Sequence, residues 1–209
     1  MLVLGIHFGH GSAAALVDDS GVLAAIEEEK LNRVKGFVGY PFKAVEYVLR
    51  ATGVSMREVD RVALGSVNVA EFSYNFIHLV RNIFQRDAFW PKSKAVLLDV
   101  LKQVRPGWDT SRLLDEQFFS LLEAHAGIGR DKVVKVNHHL AHAASAFYCS
   151  PWEEAVIITA DGKGDGLCGG AFFGDQTGIR VLDSVPDRFS VGQFYQAVTK
   201  FLGYKVNRH

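Results

Sequence analysis

The sequence is poor in cysteine and contains no long apolar run. Its two cysteines, Cys149 and Cys168, form no CxxC pair and no other metal-binding spacing, which favours a reducing, cytoplasmic setting. No apolar stretch is long enough to cross a bilayer. The apolar N-terminus lacks a basic region and is interrupted from His7 onward by histidine and glycine, which argues against a signal peptide. These absences predict a soluble cytoplasmic protein without a membrane partner.

An excess of charge of either sign is also absent. The 209 residues include 23 basic and 23 acidic side chains, so the formal net charge is zero. Such a chain has no general electrostatic attraction to nucleic acid, and we expect no nucleic-acid partner. The hydrophobic content of 48% is enough for a substantial core, in one large or two small domains.

One stretch, 133–166, predicts a strand, a helix, a second strand and a glycine-rich turn. Val133–Val136 has the short β-branched pattern of a buried strand. Asn137 is a suitable N-cap for a helix from His138 to Tyr148, which Pro151 terminates. Ala155–Thr159 is the next apolar strand, and it leads into the turn that begins at Asp161.

Three potential metal ligands fall in this stretch. His138 and His142 are four residues apart and therefore lie on the same helix face, whereas His139 points about a quarter-turn away. The positive end of the helix dipole disfavours imidazolium and keeps both rings neutral. Asp161, at the end of the next strand, adds a carboxylate. Two imidazoles and one carboxylate suit Fe(II) or another borderline divalent metal; the alternative is that both histidines are core residues bonded to backbone carbonyls.

The remaining segments predict a repeated unit. Strands at Leu2–Ile6, Ala13–Val17 and Val22–Ile26, joined by tight turns, have the same order as the strands at Ala155–Thr159, Gly169–Phe173 and Ile179–Leu182. Each first strand is followed by a G-x-G turn, and each unit leads into an amphipathic helix. These later helices begin at Pro41 and after the N-cap Ser190. Between the units, residues 67–127 have helical spacing of Phe, Trp and Leu and predict a helical insertion.

Two such units in tandem resemble the actin, hexokinase and acetate-kinase superfold. The resemblance implies an α/β fold of tandem ribonuclease-H-like units with a helical insertion at about 67–127 and an incomplete second unit. The first lobe would span 1–150 and the second would begin at 151–209. It also implies that the paired glycine turns bind ATP, as glycine lets backbone N–H groups approach phosphate. The residues expected to do so are Gly9, Gly11, Gly162, Lys163, Gly164 and Gly166. Plain hairpin turns also favour glycine.

A more specific resemblance covers nearly the whole chain outside 67–127. HHLAHAASAFY (138–148) followed by DGKGD (161–165) resembles the nodulation-protein and antibiotic O-carbamoyltransferase family. So do the opening GIHFGHGSAAALV with EEEKLNRVKG and the late SVGQFYQAVTKFLGYK. Parts of these motifs are shared with threonylcarbamoyl-transferring proteins and hydrogenase-maturation carbamoyltransferases.

The family resemblance implies a reaction and roles for particular residues. Such enzymes use carbamoyl phosphate and ATP to form carbamoyl-adenylate, then transfer the carbamoyl group to the hydroxyl of a small-molecule acceptor. His138, His142 and Asp161 match the ligands of an iron ion, and His139 matches a residue near the carbamoyl group. His10 falls where the family has His-Asp, but Gly11 replaces the aspartate. His139 and His10 are therefore the candidate catalytic residues.

The same resemblance implies that parts of the enzyme are missing. The family continues into a further metal-binding aspartate, an adenosine-binding lobe and an adenylate-forming domain, so we expect this chain alone to show weak or no ATP turnover. Glu28, Arg33 and Lys35 match a segment that lines the cleft in members of this family. An equally good interpretation is that these residues belong to a solvated charged loop. Alternative functions are a tRNA threonylcarbamoyl-transferase relative, a kinase of the same superfold that uses Mg, and a non-catalytic domain.

Overall fold

The computed structural model describes residues 1–67 and 127–204, together with Phe119 and Glu123. Contacts divide the chain into two units, Met1–Lys135 and Val136–His209. The helical insertion predicted at about 67–127 lies almost entirely outside the described residues. The lobe boundary predicted at residue 150 stays a prediction, although the helix that precedes it belongs to the second unit.

The first unit contains a five-stranded mixed sheet. Its strands are β1 (Val3–His7), β2 (Ala13–Asp18), β3 (Gly21–Glu27), β4 (Arg61–Leu64) and β5 (Val133–Lys135). The strand order is β3-β2-β1-β4-β5, in which the first three strands are antiparallel and β4 and β5 run parallel to β1. The predicted three antiparallel strands and the predicted hairpin turn at Asp18–Gly21 are confirmed, and the strand boundaries differ from the predicted ones by at most one residue.

The core of the first unit lies where α2 (Phe42–Thr52) packs against this sheet. Alternate positions of β1 and β2 are buried, as the two-residue period of a strand requires. The predicted apolar face of α2 is confirmed, because Ala44, Val45 and Val48 are buried and Leu49 packs beside them. The helix ends at Gly53, whose φ of +71° suits a glycine cap.

The charged segment 27–36 is not simply a solvated loop. It contains the short helix α1 (Glu28–Asn32), and Glu28 is buried with 4% of its surface exposed. An Oε2 atom of Glu28 accepts a hydrogen bond from the backbone N–H of Ala44 at 2.8 Å. Burial of this carboxylate fixes α1 against the first turn of α2.

The second unit consists of a three-stranded antiparallel sheet and two helices. Helix α3 (His138–Tyr148) precedes β6 (Ala155–Gly164), β7 (Leu167–Asp175) and β8 (Gly178–Pro186), and α4 (Val191–Phe201) follows them. Ala143 and Phe147 of α3 pack on Ile157 and Phe172 of the sheet. Both units therefore begin their sheets with three consecutive antiparallel strands, as the repeat predicted.

One boundary in this unit corrects the prediction. The strand β6 does not end at Thr159 but continues to Gly164, with a shift of register between Ala160 and Gly164. Asp161 and Gly162 therefore lie in an irregular part of the strand, and the turn consists of Asp165 and Gly166. A bulge of this kind re-aims side chains without ending the ladder, and sequence periodicity does not reveal it.

Among the residues that the structure describes, none of the helices combines the length and apolar character required to span a membrane.

Candidate metal centre

The first turn of α3 presents two imidazoles side by side. Asn137 caps the helix as predicted, accepting hydrogen bonds from the N–H groups of His139 at 3.0 Å and Leu140 at 3.2 Å. Because the helix begins at His138, His138 and His142 stand one turn apart on the same face. Their Nε2 atoms are 3.0 Å apart.

Asp161 reaches this pair from the irregular end of β6. Its Oδ2 atom lies 2.8 Å from Nε2 of His138 and 3.6 Å from Nε2 of His142. His138 is buried, whereas the side chains of His142 and Asp161 are 52% and 39% exposed. We call these three residues the His–His–Asp cluster; it has one buried side and one side open to solvent.

Hydrogen bonding to the two rings controls the charge of the cluster. The bond to His138, followed by that to His142, holds the pKa of the Asp161 carboxyl well below its usual range, and partial burial opposes this effect without outweighing it. Asp161 is therefore an anion at neutral pH. The cluster thus combines an anionic oxygen with two ring nitrogens.

The spacing of the three donor atoms fits a single cation. The donor atoms all lie within 4.8 Å of one another. Ligands bonded at about 2.1 Å are roughly 3.0 Å apart in octahedral geometry and roughly 3.4 Å apart in tetrahedral geometry, which matches the three separations. His138, His142 and Asp161 could therefore hold a borderline divalent metal, as the sequence predicted. Both Nε2 atoms face each other and the carboxylate, and metal binding by these three residues stays a prediction.

His139 lies beneath the cluster. It is fully buried, and its Nδ1 atom is 3.0 Å from the hydroxyl oxygen of Thr159. Its Nε2 atom is buried and makes no hydrogen bond of good geometry with the described residues. Burial lowers the pKa of this ring, and the nearby backbone of Leu167 acts in the opposite direction. His139 does not face solvent here, and its role in proton transfer stays a prediction.

The predicted residues of the first glycine turn lie in the other unit. His10 is exposed and its backbone oxygen is 3.3 Å from Nε2 of His7. Gly11 has a φ of +74°, a conformation that glycine adopts readily. The roles predicted for His10, Gly9 and Gly11 are not decided by these contacts and stay predictions.

The second glycine segment has contacts of its own. Lys163 forms an ion pair with Asp187, with Nζ and Oδ2 3.2 Å apart. Gly164 lies directly against the ring of His138, and a Cβ atom at this position would overlap it. Gly162 and Gly166 have open space where a side chain would project. Phosphate binding by Gly162, Lys163, Gly164 and Gly166 stays a prediction, and at Gly164 the ring contact is a separate reason for glycine.

The sequence did not predict that the start of α4 fixes the backbone beside Asp161. The Ser190 hydroxyl accepts a hydrogen bond from Gln193 N–H at 3.0 Å, as an N-cap, and donates to the carbonyl of Gly162 at 2.6 Å. A Cβ atom on Gly192 would lie only 3.0 Å from the Cα atom of Gly162, so the helix approaches the strand closely. The sequence predicts Ser190 as the N-cap, which the structure confirms, but it contains no signal for the bond from Ser190 to Gly162.

Comparisons with known proteins agree with this arrangement of motifs. The family model described as "Carbamoyltransferase N-terminus" matches residues 2–209. The nodulation protein NolNO of Sinorhizobium fredii is 30% identical over 94% of this chain and 26% of its own length. An uncharacterized protein of Synechocystis is 29% identical over 98% of this chain and 32% of its own length. The chain thus spans about a third or less of these relatives.

A solved structure, YeaZ from Pseudomonas aeruginosa, superimposes with a TM-score of 0.41 and 13% identity over 89% of this chain and 69% of its own. That likeness is too low to decide between folds. The match over residues 2–209 is decisive, and the chain belongs to the carbamoyltransferase N-terminus family.

Proposed function

We propose that this chain is the N-terminal part of an ATP-dependent O-carbamoyltransferase with a metal centre at the His–His–Asp cluster. The donor would be carbamoyl phosphate, the intermediate carbamoyl-adenylate, and the acceptor a hydroxyl of a small molecule. The convergence of two Nε2 atoms and one carboxylate oxygen, separated by 2.8 to 3.6 Å, is the observation that carries the proposal. Membership of the carbamoyltransferase family supplies the reaction class.

We also propose that both units are ribonuclease-H-like. Each begins with three antiparallel strands, and the first unit adds two parallel strands beside β1. This order supports the tandem superfold that the sequence resemblance implied. The proposed role of the glycine segments is to bind ATP phosphate through backbone N–H groups.

The residues of the cluster suit a Lewis-acid centre. A divalent cation bound there would stabilise negative charge on a carbamoyl or phosphate oxygen during acyl transfer. Asp161 is ionised at neutral pH, since the ordinary pKa of an aspartate lies well below 7 and its partners lower it further, so no proton has to be removed from this carboxylate before binding. The buried His138 provides a fixed ligand, whereas the exposed sides of His142 and Asp161 leave access for substrate.

Metal binding by purified protein tests this proposal. We expect the wild-type chain to bind about one equivalent of Fe(II) or Co(II), and His142→Ala to weaken that affinity by at least about 100-fold, because one of three ligands is removed. His142 is half exposed, so the variant should fold. His10→Ala, which removes an exposed histidine from the other unit, is the matched control for metal content. Equal metal affinity in His142→Ala and wild type would remove the cluster from the proposal.

Binding of carbamoyl phosphate tests the reaction class separately. We expect calorimetric titration to detect carbamoyl phosphate binding to metal-loaded protein and to show weaker binding in His142→Ala. Inorganic phosphate is the control ligand, because it shares the anionic oxygens but lacks the carbamoyl carbonyl. Metal binding without any preference for carbamoyl phosphate would leave the metal centre intact and contradict the proposed donor.

A further inference from the structure

The turn between β6 and β7 contacts the first residue of α3 in two ways. The Oδ2 atom of Asp165 accepts a hydrogen bond from the backbone N–H of His138, with the two atoms 2.7 Å apart. The preceding Gly164 lies against the His138 ring so closely that a side chain there would overlap it. The turn therefore contacts both the backbone and the imidazole of one proposed ligand.

Asp165 completes the capping of the helix. The first N–H groups of a helix have no partner within it. The side chain of Asn137 accepts from His139 and Leu140, and Asp165 accepts from His138, while Ala141 donates to the carbonyl of Asn137 in the regular helical pattern. Asp165 therefore satisfies one of the first N–H groups of the helix, that of His138.

The backbone conformation of Asp165 favours glycine, so the presence of an aspartate at this position calls for a reason. Its φ is +52°, and among the described residues the only other non-glycine residue with positive φ is Arg33. This conformation costs most residues roughly 1 kcal/mol or more relative to glycine, although Asp tolerates it better than most. A glycine at position 165 would fit this backbone conformation better than the aspartate does, and position 166 is already a glycine. The carboxylate contact with α3 is a sufficient reason for an aspartate here.

We propose that Asp165 is a positioning residue for the His–His–Asp cluster, acting through its bond to the His138 N–H. The bond fixes the first turn of α3 relative to β6, and with it the separation between Asp161 and the two Nε2 atoms. This role rests on the proposed metal centre. Removing a group that orients a metal ligand commonly weakens metal affinity by about 10- to 100-fold.

The test compares Asp165→Gly with Asp165→Asn by titration with Co(II), followed through the visible absorption of the bound ion. Asp165→Gly removes the acceptor but relieves the backbone strain, so the two effects on stability offset each other; we expect a melting temperature close to that of wild type and a Co(II) affinity weaker by at least about 10-fold. Asp165→Asn keeps an acceptor oxygen and tolerates positive φ, so we expect affinity within about threefold of wild type. A merely structural role would instead lower the melting temperature of Asp165→Gly and leave its Co(II) affinity and spectrum unchanged.

The outcomes separate this role from the metal centre itself. Wild-type affinity in Asp165→Gly, or equally weak affinity in Asp165→Asn, overturns the positioning role while the metal centre stands. Wild-type protein that binds Co(II) no better than His142→Ala overturns the metal centre and with it this role. If Asp165→Gly does not fold, Asp165→Asn decides, because asparagine tolerates positive φ: Co(II) affinity within about threefold of wild type supports the role, and affinity weaker by about 10-fold or more overturns it.

Discussion

Glu28 illustrates how burial changes the behaviour of a single residue. Among the Asp, Glu, Lys and Arg side chains that the structure describes, Glu28 is the one that is buried. Burial raises the pKa of its carboxyl group, although hydrogen bonds to the carboxylate act in the opposite direction. A raised pKa in the folded state means that folding favours the protonated form. The contribution of this group to stability is therefore present at low pH and is lost as the pH rises through its folded pKa.

Replacing Glu28 with glutamine tests the direction of this pH dependence of stability. Glutamine keeps an acceptor for the N–H of Ala44 and cannot ionise, so we expect the free energy of unfolding of wild type to fall relative to that of Glu28→Gln between about pH 4 and pH 7. Urea unfolding at several pH values measures this difference. Glu46→Gln, at an exposed position of α2, is the matched control. A wild-type protein that gains stability over Glu28→Gln as the pH rises would show that hydrogen bonding to the carboxylate outweighs burial.

At the scale of the element, α4 matters for the contacts of its first turn. Ser190 is buried, caps the helix and donates to the Gly162 carbonyl beside Asp161. Gln193 adds a side-chain bond to the same carbonyl at 3.3 Å. The element that follows the sheet therefore stabilises the irregular strand that carries a proposed ligand.

Ser190→Ala should destabilise this part of the protein. Loss of the cap and of the bond to Gly162 is expected to lower the free energy of unfolding by about 1 to 2 kcal/mol. Amide exchange of Gln193, whose N–H donates to the Ser190 hydroxyl, should accelerate in the same variant. Ser184→Ala, at an exposed position of β8, is the control and should stay within about 0.5 kcal/mol of wild type. Equal stability of the two variants would show that the cap contributes nothing.

At the scale of the whole molecule, the second unit has a large apolar surface. Helix α4 has its apolar residues at helical spacing, as the sequence predicted, yet Phe194 is 69% exposed and Phe201 is 88% exposed. On the sheet, Val156 and Ile158 are also exposed. An amphipathic pattern predicts which residues share a face, but it does not reveal whether anything covers that face.

The double variant Phe194→Ser/Phe201→Ser measures this exposure. We expect its free energy of unfolding to differ from wild type by less than about 1 kcal/mol, since exposed side chains contribute little, and its binding of a hydrophobic dye to fall. Phe172→Ser is the comparison, because Phe172 is 3% exposed and its loss should cost about 3 to 5 kcal/mol. A similar cost for the double variant would mean that the α4 face is packed in solution.

Features that depend on neighbouring residues could be predicted from the amino-acid sequence. The boundaries of α3, its Asn137 cap, the hairpin at Asp18–Gly21 and the shared face of His138 and His142 all follow from side-chain period and backbone preference within a few positions. The residue types of the three proposed metal ligands were also predicted from local sequence, and so was membership of the family.

Which distant groups meet depends on how the helices and strands pack against one another. The distance from Asp161 to the rings depends on a register shift in β6, and the hydrogen bond from the His138 N–H to Asp165 joins residues 27 positions apart. Burial of His139 and the fit of Gly164 beneath His138 likewise depend on how α3 packs on the sheet. The physical reason is that period and propensity describe the chain within one element. Bulges, burial and ligand spacing arise from packing between elements, which a local pattern does not contain.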